Sequence, residues 1–256
     1  MLRRIQAVAL NTYRETVRDR IFYLVGLFGL VLVVSSAVLA PLSVGAQEKI
    51  VIDVGLGALT LFGLLVTVLV GSNMVHKEQD KRTVTTILTK PVSRREYLLG
   101  KFLGLNLTLV AMLALMSTLF VAVVLVTSAS FGVRYLAALY LAYMELVLVT
   151  AAVVLFSTVA SPPLAAVLTL TLFVIGHLSE SLRSFGALLG SPLQTRLAEL
   201  VYYVVPNLEM FNVRGAVVHG DTVGGEHLLL ATVYGLGYTA LLLIVASSQF
   251  SRKELR

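Results

Sequence analysis

Apolar residues in this chain come in long uncharged runs, not in the alternating or one-faced patterns of elements that meet water on one side. A helix needs about 20 mainly apolar residues to cross the hydrocarbon core of a bilayer. Ile21–Ala40 and Val54–Val75 carry no charged residue, and neither does Phe102–Val133, from which a span over 102–127 and a short exit are read. Tyr135–Thr158 is apolar except for Glu145, and Ser161-Pro162-Pro163 breaks the helix after it. Leu164–Leu178 gives a shorter fifth span and Leu228–Phe250 a sixth. The pattern predicts an all-α polytopic membrane protein: one transmembrane domain over 1–256, with spans at 21–40, 54–75, 102–127, 135–158, 164–178 and 228–250.

Between the spans the pattern changes period. Over residues 1–20, Leu2, Ile5, Ala9, Tyr13, Thr16 and Val17 share one helical face, with Arg3, Arg4, Asn11, Arg14, Glu15, Arg18 and Asp19 opposite. An amphipathic helix lying among lipid headgroups fits this arrangement, and so does an ordinary basic flank. In the segment 76–101, the charged run His76–Arg82 leads into Val84, Ile87 and Leu88, an apolar stripe on a short helix that ends before Pro91. Ser93-Arg94-Arg95-Glu96 then reads as a capping box, with Val92 and Tyr97 placed as its hydrophobic staple. A short helix of this kind suits a groove on a partner, or serves as a solvated connector. The segment 179–227 repeats Leu193, Leu197, Leu200, Val201 and Val204 on one face, is stopped by Pro206-Asn207, and resumes from Leu208 to Val217 before His219-Gly220-Asp221. Interfacial or re-entrant helices at the outer mouth of the bundle are expected there, as gating or simply as packing elements.

Composition agrees with the spans. Hydrophobic residues make up 57% and charged residues 13%, and mean hydropathy is +0.90; a soluble domain carries about 25% charged residues. Absence of cysteine excludes disulfides, Cys-ligated zinc, iron–sulfur clusters and a thiol nucleophile. A net charge of +6 with a pI near 9.7 fits either nucleic acid or cytoplasmic loops. Position decides between them: fifteen of the twenty Lys and Arg lie in 1–20, 76–101 and 251–256, with five in 41–53, 128–134 and 179–227. The positive-inside rule then puts both termini in the cytoplasm and removes nucleic acid as a partner. Val44-Gly45-Ala46 looks like a signal-peptidase site, but the uncharged run before it is longer than the usual 7–15 or so residues, and Glu15 and Asp19 precede it. The first helix is expected to be retained.

Candidate chemistry is sparse. Glu145 is the acidic residue deep in a span, where a charge costs about 2.5–3.5 kcal/mol on insertion scales. No basic residue occupies a clear span to pair with it, so it is expected on the substrate path, at a helix or permease interface, or as a neutral carboxyl bonded inside the bundle. Histidines 76, 177, 219 and 227 have no metal-ligand spacing, and no catalytic or metal site is expected. An intramembrane serine protease would use His177, but Ser72, Ser117 and Ser157 lack the Gly-x-Ser-Gly turn. Gly100-x-x-x-Gly104 permits close helix packing and by itself says little.

One stretch is distinctive. Glu78, Arg82-Thr83-Val84, Ile87-Leu88-Thr89-Lys90-Pro91-Val92-Ser93-Arg94, Glu96 and Gly100-Lys101 resemble the cytoplasmic loop of ABC-2 type transporter permeases, the six-helix membrane subunits of ATP-driven exporters. Tyr202-Tyr203 and Pro206-Asn207-Leu208 with Phe211-Asn212 are similar to a stretch in one branch of that family; Arg82 departs from the glycine many members carry. The resemblance implies an ATPase-docking set of Glu78, Thr83, Val84, Ile87, Leu88, Pro91, Ser93 and Arg94, and an outer gate including Tyr203, Pro206, Asn207 and Phe211. It further implies a separate nucleotide-binding subunit carrying ATP and Mg, and a second copy or related permease. The setting would be the cytoplasmic membrane of a bacterium or archaeon, among its lipids. The chain has no G-x-x-x-x-G-K-[ST] phosphate loop, so no ATP hydrolysis and no cofactor are expected of it. A scaffold or regulatory subunit without transport of its own is the other reading.

Overall fold

The structure, a computed structural model, describes residues 2–18, 22–39, 47–74, 93–128, 132–188 and 192–252, and these are all-helical. Helix α1 spans Leu2–Arg18, α2 Phe22–Val34, α3 Gln47–Asn73, α4 Arg94–Ser128 and α5 Val133–Val159. Then come α6 at Pro162–Leu188, α7 at Pro192–Val204, α8 at Arg214–His219 and α9 at Gly225–Arg252. A π-helical turn, Ser35–Leu39, continues α2, and a 3₁₀ turn, Glu209–Phe211, precedes α8.

Among the described residues, five helices are long and apolar enough to cross a membrane: Glu48–Asn73, Arg94–Val126, Val133–Val159, Pro162–Ser184 and Gly225–Phe250. A shorter apolar helix, Tyr23–Val38, corresponds to the predicted first span. The fifth predicted span lengthens at both ends, because Pro162 starts α6 where a missing N–H costs nothing, and the helix runs on through the polar residues after Leu178. The expected helix over 208–217 is instead a 3₁₀ turn followed by α8. Its break is local: the Glu209 N–H donates to Asn207 Oδ1 at 3.0 Å, and Asn212 leaves the helical region at φ −83° and ψ 86°. Gly220 closes α8 at φ +92°, a left-handed conformation glycine adopts without Cβ strain, and the Asp221 N–H then reaches the Ala216 carbonyl at 2.9 Å.

Helix α5 is the axis of the bundle. Leu146–Val154 are all buried, under α3, α4, α6 and α9. Opposite faces of α6 and α9 expose Leu164, Val167 and Val174, and Leu229, Val233 and Ile244, surfaces suited to hydrocarbon. Helix α1 lies on the first half of α4. Ile5, Ala9, Thr12 and Thr16 are buried there while Leu2 is exposed, so much of the predicted lipid-facing stripe covers protein. The two threonines tolerate burial because their hydroxyls donate to the Val8 and Thr12 carbonyls at 3.0 and 2.8 Å. Gly100 and Gly104 make the seat: a Cβ at Gly100 would stand 2.6 Å from Val8 Cβ, and one at Gly104 2.7 Å from the Ala9 carbonyl oxygen.

Two ends of the bundle are distinct. At one, Arg4 reaches Glu96 at 4.0 Å, Arg94 Nη1 donates to the Phe250 carbonyl at 3.0 Å, and Tyr97 stacks on Phe250. This end gathers α1, the start of α4 and the close of α9. The predicted capping box is formed here: the Ser93 N–H donates to Glu96 Oε2 at 2.8 Å and the Glu96 N–H to Ser93 Oγ at 3.3 Å. At the far end, Glu48, Arg134 and Tyr135 meet, with Arg134 Nη2 at 3.6 Å from Glu48 and 3.1 Å from the Tyr135 hydroxyl.

Candidate functional site

Glu145 stands near the middle of α5, buried, and the residue that meets it is His177 of α6. His177 Nε2 lies 3.4 Å from Glu145 Oε1. The sequence pattern gives Glu145 no Lys or Arg in a span to pair with; the structure supplies His177, which lies inside the predicted fifth span and which α6 turns toward α5. Nδ1 of the same ring is 3.1 Å from the Phe173 carbonyl oxygen, and an oxygen of that kind only accepts. Nδ1 therefore carries the proton, and Nε2 is left to face the acid. Glu145 Oε1 is buried with no hydrogen-bond partner among the described residues.

A cavity of about 290 Å³ opens beside this pair. Leu56, Gly57, Thr60 and Leu61 of α3 form one wall, Ala138, Ala142 and Glu145 of α5 the floor, and Phe173 and His177 of α6 the opposite wall. Phe211-Asn212-Val213-Arg214 close it from the far end. This closing segment is inserted among the helices: Leu208, Phe211 and Val217 are buried. Its backbone is tied down by the Leu208 N–H to the Gly176 carbonyl at 3.1 Å and the Asn207 N–H to the Tyr234 hydroxyl at 2.8 Å. Residues 206–219 thus form a lid whose underside is the cavity roof.

Charge at the mouth is paired. Arg214 Nε lies 3.0 Å from Asp53 Oδ1, and the guanidinium covers Gly57, where any side chain would collide with it. Glu209 accepts from Asn212 Nδ2 at 3.0 Å, and Arg134 Nη1 donates to the Gly220 carbonyl at 3.4 Å. Asp53 and Arg214 are about half exposed, so their link adds at most about 1 kcal/mol and can open at little cost.

Of the sequence-predicted residues, the structure brings Glu145 and Phe211 to the cavity and places Pro206 and Asn207 at the start of the segment that closes it. Tyr203 is 70% exposed, with its ring against Tyr202, and does not line the cavity. Ser93 and Arg94 lie at the opposite end of the bundle. Glu78, Thr83, Val84, Ile87, Leu88 and Pro91 lie outside the described residues. Sequence reasoning missed Asp53, Thr60, Arg214 and the pairing role of His177. Its available signal was a single imidazole in an apolar run, with Asp53 at the end of one predicted outer segment and Arg214 well inside another. His219 and His227 serve the backbone, facing the Gly215 and Met210 carbonyls at 2.8 and 3.0 Å, and no group of three metal-ligating side chains occurs among the described residues.

Set within apolar helices, this is a chamber with largely apolar walls, lidded at one end, with an acid–imidazole pair at its floor. No curated protein matches the chain in sequence. The family described as ABC-2 family transporter protein, a membrane component of transporters, matches residues 6–255, nearly the whole length. The chain belongs to the ABC-2 family of transporter proteins.

Proposed function

We propose that this chain is the permease of an ATP-driven exporter, and that the Glu145–His177 chamber is the outward end of its substrate path. The observation that carries this reading is the chamber itself. Ionisable groups at membrane depth are costly unless they serve a wet path or a partner, and here they line a cavity beneath a lid whose mouth carries a half-exposed ion pair. Helix α2 acts as the sixth span. The end holding α1 and the start of α4 faces the cytoplasm, in line with fifteen of twenty basic residues in segments that lead to it. A separate ATPase, carrying ATP and Mg, docks on 76–101 through Glu78, Thr83, Val84, Ile87, Leu88, Pro91, Ser93 and Arg94. Two permease chains, identical or related, sit together in the cytoplasmic membrane of a bacterium or archaeon. ATP-driven closure of the paired loops moves α4, and with it the bundle that the lid covers.

Because the chain has no native cysteine, single thiols report without background. In oriented vesicles holding the permease with its ATPase, the Val213→Cys variant is expected to react with a membrane-impermeant maleimide from outside, and the Ser93→Cys variant from inside. ATP should change the Val213→Cys rate several-fold. Labelling of Val213→Cys only from inside, or a rate indifferent to ATP, would overturn the proposal.

A further inference from the structure

We infer that the chamber binds the protonated amine of a small or amphiphilic organic cation, with Glu145 as the acceptor. This names the ligand class of the chamber and rests on the functional reading above only for the direction of transport. Three observations converge. First, Glu145 is 2% exposed, lines the cavity, and its Oε1 has no hydrogen-bond partner among the described residues. A buried acceptor of this kind is costly to leave unmade, and an ammonium supplies three donors. Second, the charge around the cavity favours a cation. Arg214 is spent on Asp53, Glu145 faces the His177 imidazole at 3.4 Å without a hydrogen bond at Oε1, and Glu209, just beyond the lining, has Asn212 as the side chain donating to it among the described residues. A carboxylate ligand would meet Glu145 at the floor and find the guanidinium at the mouth already occupied. Third, Phe173 and Phe211 supply aromatic walls, which attract ammonium groups through the ring quadrupole, and Leu56, Leu61 and Ala142 accept the hydrocarbon remainder. The volume of about 290 Å³ falls near the lower end of the roughly 300–1,000 Å³ of small-molecule sites.

The test uses the purified full chain without its ATPase and three probes of one shape: 2-phenylethylamine, 2-phenylethanol and phenylacetate. Calorimetry should show the amine binding roughly tenfold or more tightly than either of the others, the discrimination one charge-assisted hydrogen bond confers. Glu145→Gln should abolish that preference. As a check that does not disturb Glu145, the Thr60→Cys variant should react faster with a cationic than with an anionic methanethiosulfonate, after correction for free-thiol rates, and 2-phenylethylamine should slow it. Binding of phenylacetate as tightly as the amine, or a preference that survives Glu145→Gln, would overturn the inference. So would equal methanethiosulfonate rates. An ammonium can also come from a lipid headgroup. Suppression of amine binding by phosphatidylethanolamine but not phosphatidylglycerol would identify the lipid as the source, and indifference to both would identify a free amine. Failure here leaves the ATPase-coupled reading standing, since that is tested by the partner subunit and not by any ligand.

Discussion

Replacing Gly104 by alanine tests how α1 is held. The new methyl would lie 2.6 Å from Thr12 Cβ and 2.7 Å from the Ala9 carbonyl oxygen, where ordinary contact begins at 3.4 Å, so α1 must retreat by about 0.8 Å. Two effects oppose each other. Alanine is favoured over glycine inside a helix by about 0.5–1 kcal/mol. Overpacking costs about 1–3 kcal/mol, and one of the offending atoms is a backbone oxygen that no rotamer change can move. Sterics win, with a net loss of about 0.5–2 kcal/mol for the single change and roughly double for Gly100→Ala with Gly104→Ala. Burial of Ile5, the largest apolar side chain α1 buries on α4, contributes about 1.5–3 kcal/mol. The single variant should therefore loosen α1 and the double variant release it. In nanodiscs, hydrogen exchange of amides 5–16 should quicken roughly 2- to 30-fold in the single variant, and protection should be nearly lost in the double. Exchange across Leu146–Val154 should stay unchanged in both. Undiminished protection of α1 in the double variant would refute the seat, and an equal rise in α5 would show global unfolding instead.

Other substitutions address the chamber and its supports. Glu145→Gln keeps size and hydrogen-bonding but can neither give up a proton nor carry charge; assembly should be intact and transport in vesicles reduced about tenfold or more, the scale of one charged contact, whereas normal transport would remove Glu145 from the mechanism. Asp53→Asn breaks a half-exposed pair, so thermal stability should change by less than about 1 kcal/mol, while maleimide labelling of a thiol at Val213 should accelerate as the lid loosens. Ser93→Ala removes the acceptor for the Glu96 N–H, and the first turn of α4 should fray by about 1 kcal/mol, read as faster exchange of amides 94–97.

How much of this was legible in the sequence depends on how local the cause is. Uncharged length shows directly in composition, so the long helices and their order could be read, as could the Ser93–Glu96 box, whose two capping bonds join residues three apart in the chain. Glycines 100 and 104 were visible as a spacing, but their partner, α1, is specified by packing rather than by anything adjacent in the chain. The fifth helix was cut short because polarity rises after Leu178, although its hydrogen bonds continue to Leu188. His177 lay inside the predicted span, but no pattern along the chain reports which residue of a neighbouring helix it faces. Asp53 and Arg214 are 161 positions apart and meet only because the lid folds back onto α3; no periodicity reports such a contact. Tyr203 shows the converse, since its motif is local while its ring points away from the cavity.

The central claim is that this membrane chain is driven by a separate ATPase bound at 76–101. The most direct measurement is affinity purification of the tagged chain after co-expression with its genomic neighbours, repeated with Ile87→Asp and Leu88→Asp together and with Glu78→Lys. The wild type should bring down a Walker-type ATPase, and these variants should lose it while remaining folded in the membrane. Recovery of no ATPase with the wild type, or full recovery with every variant, would contradict the account.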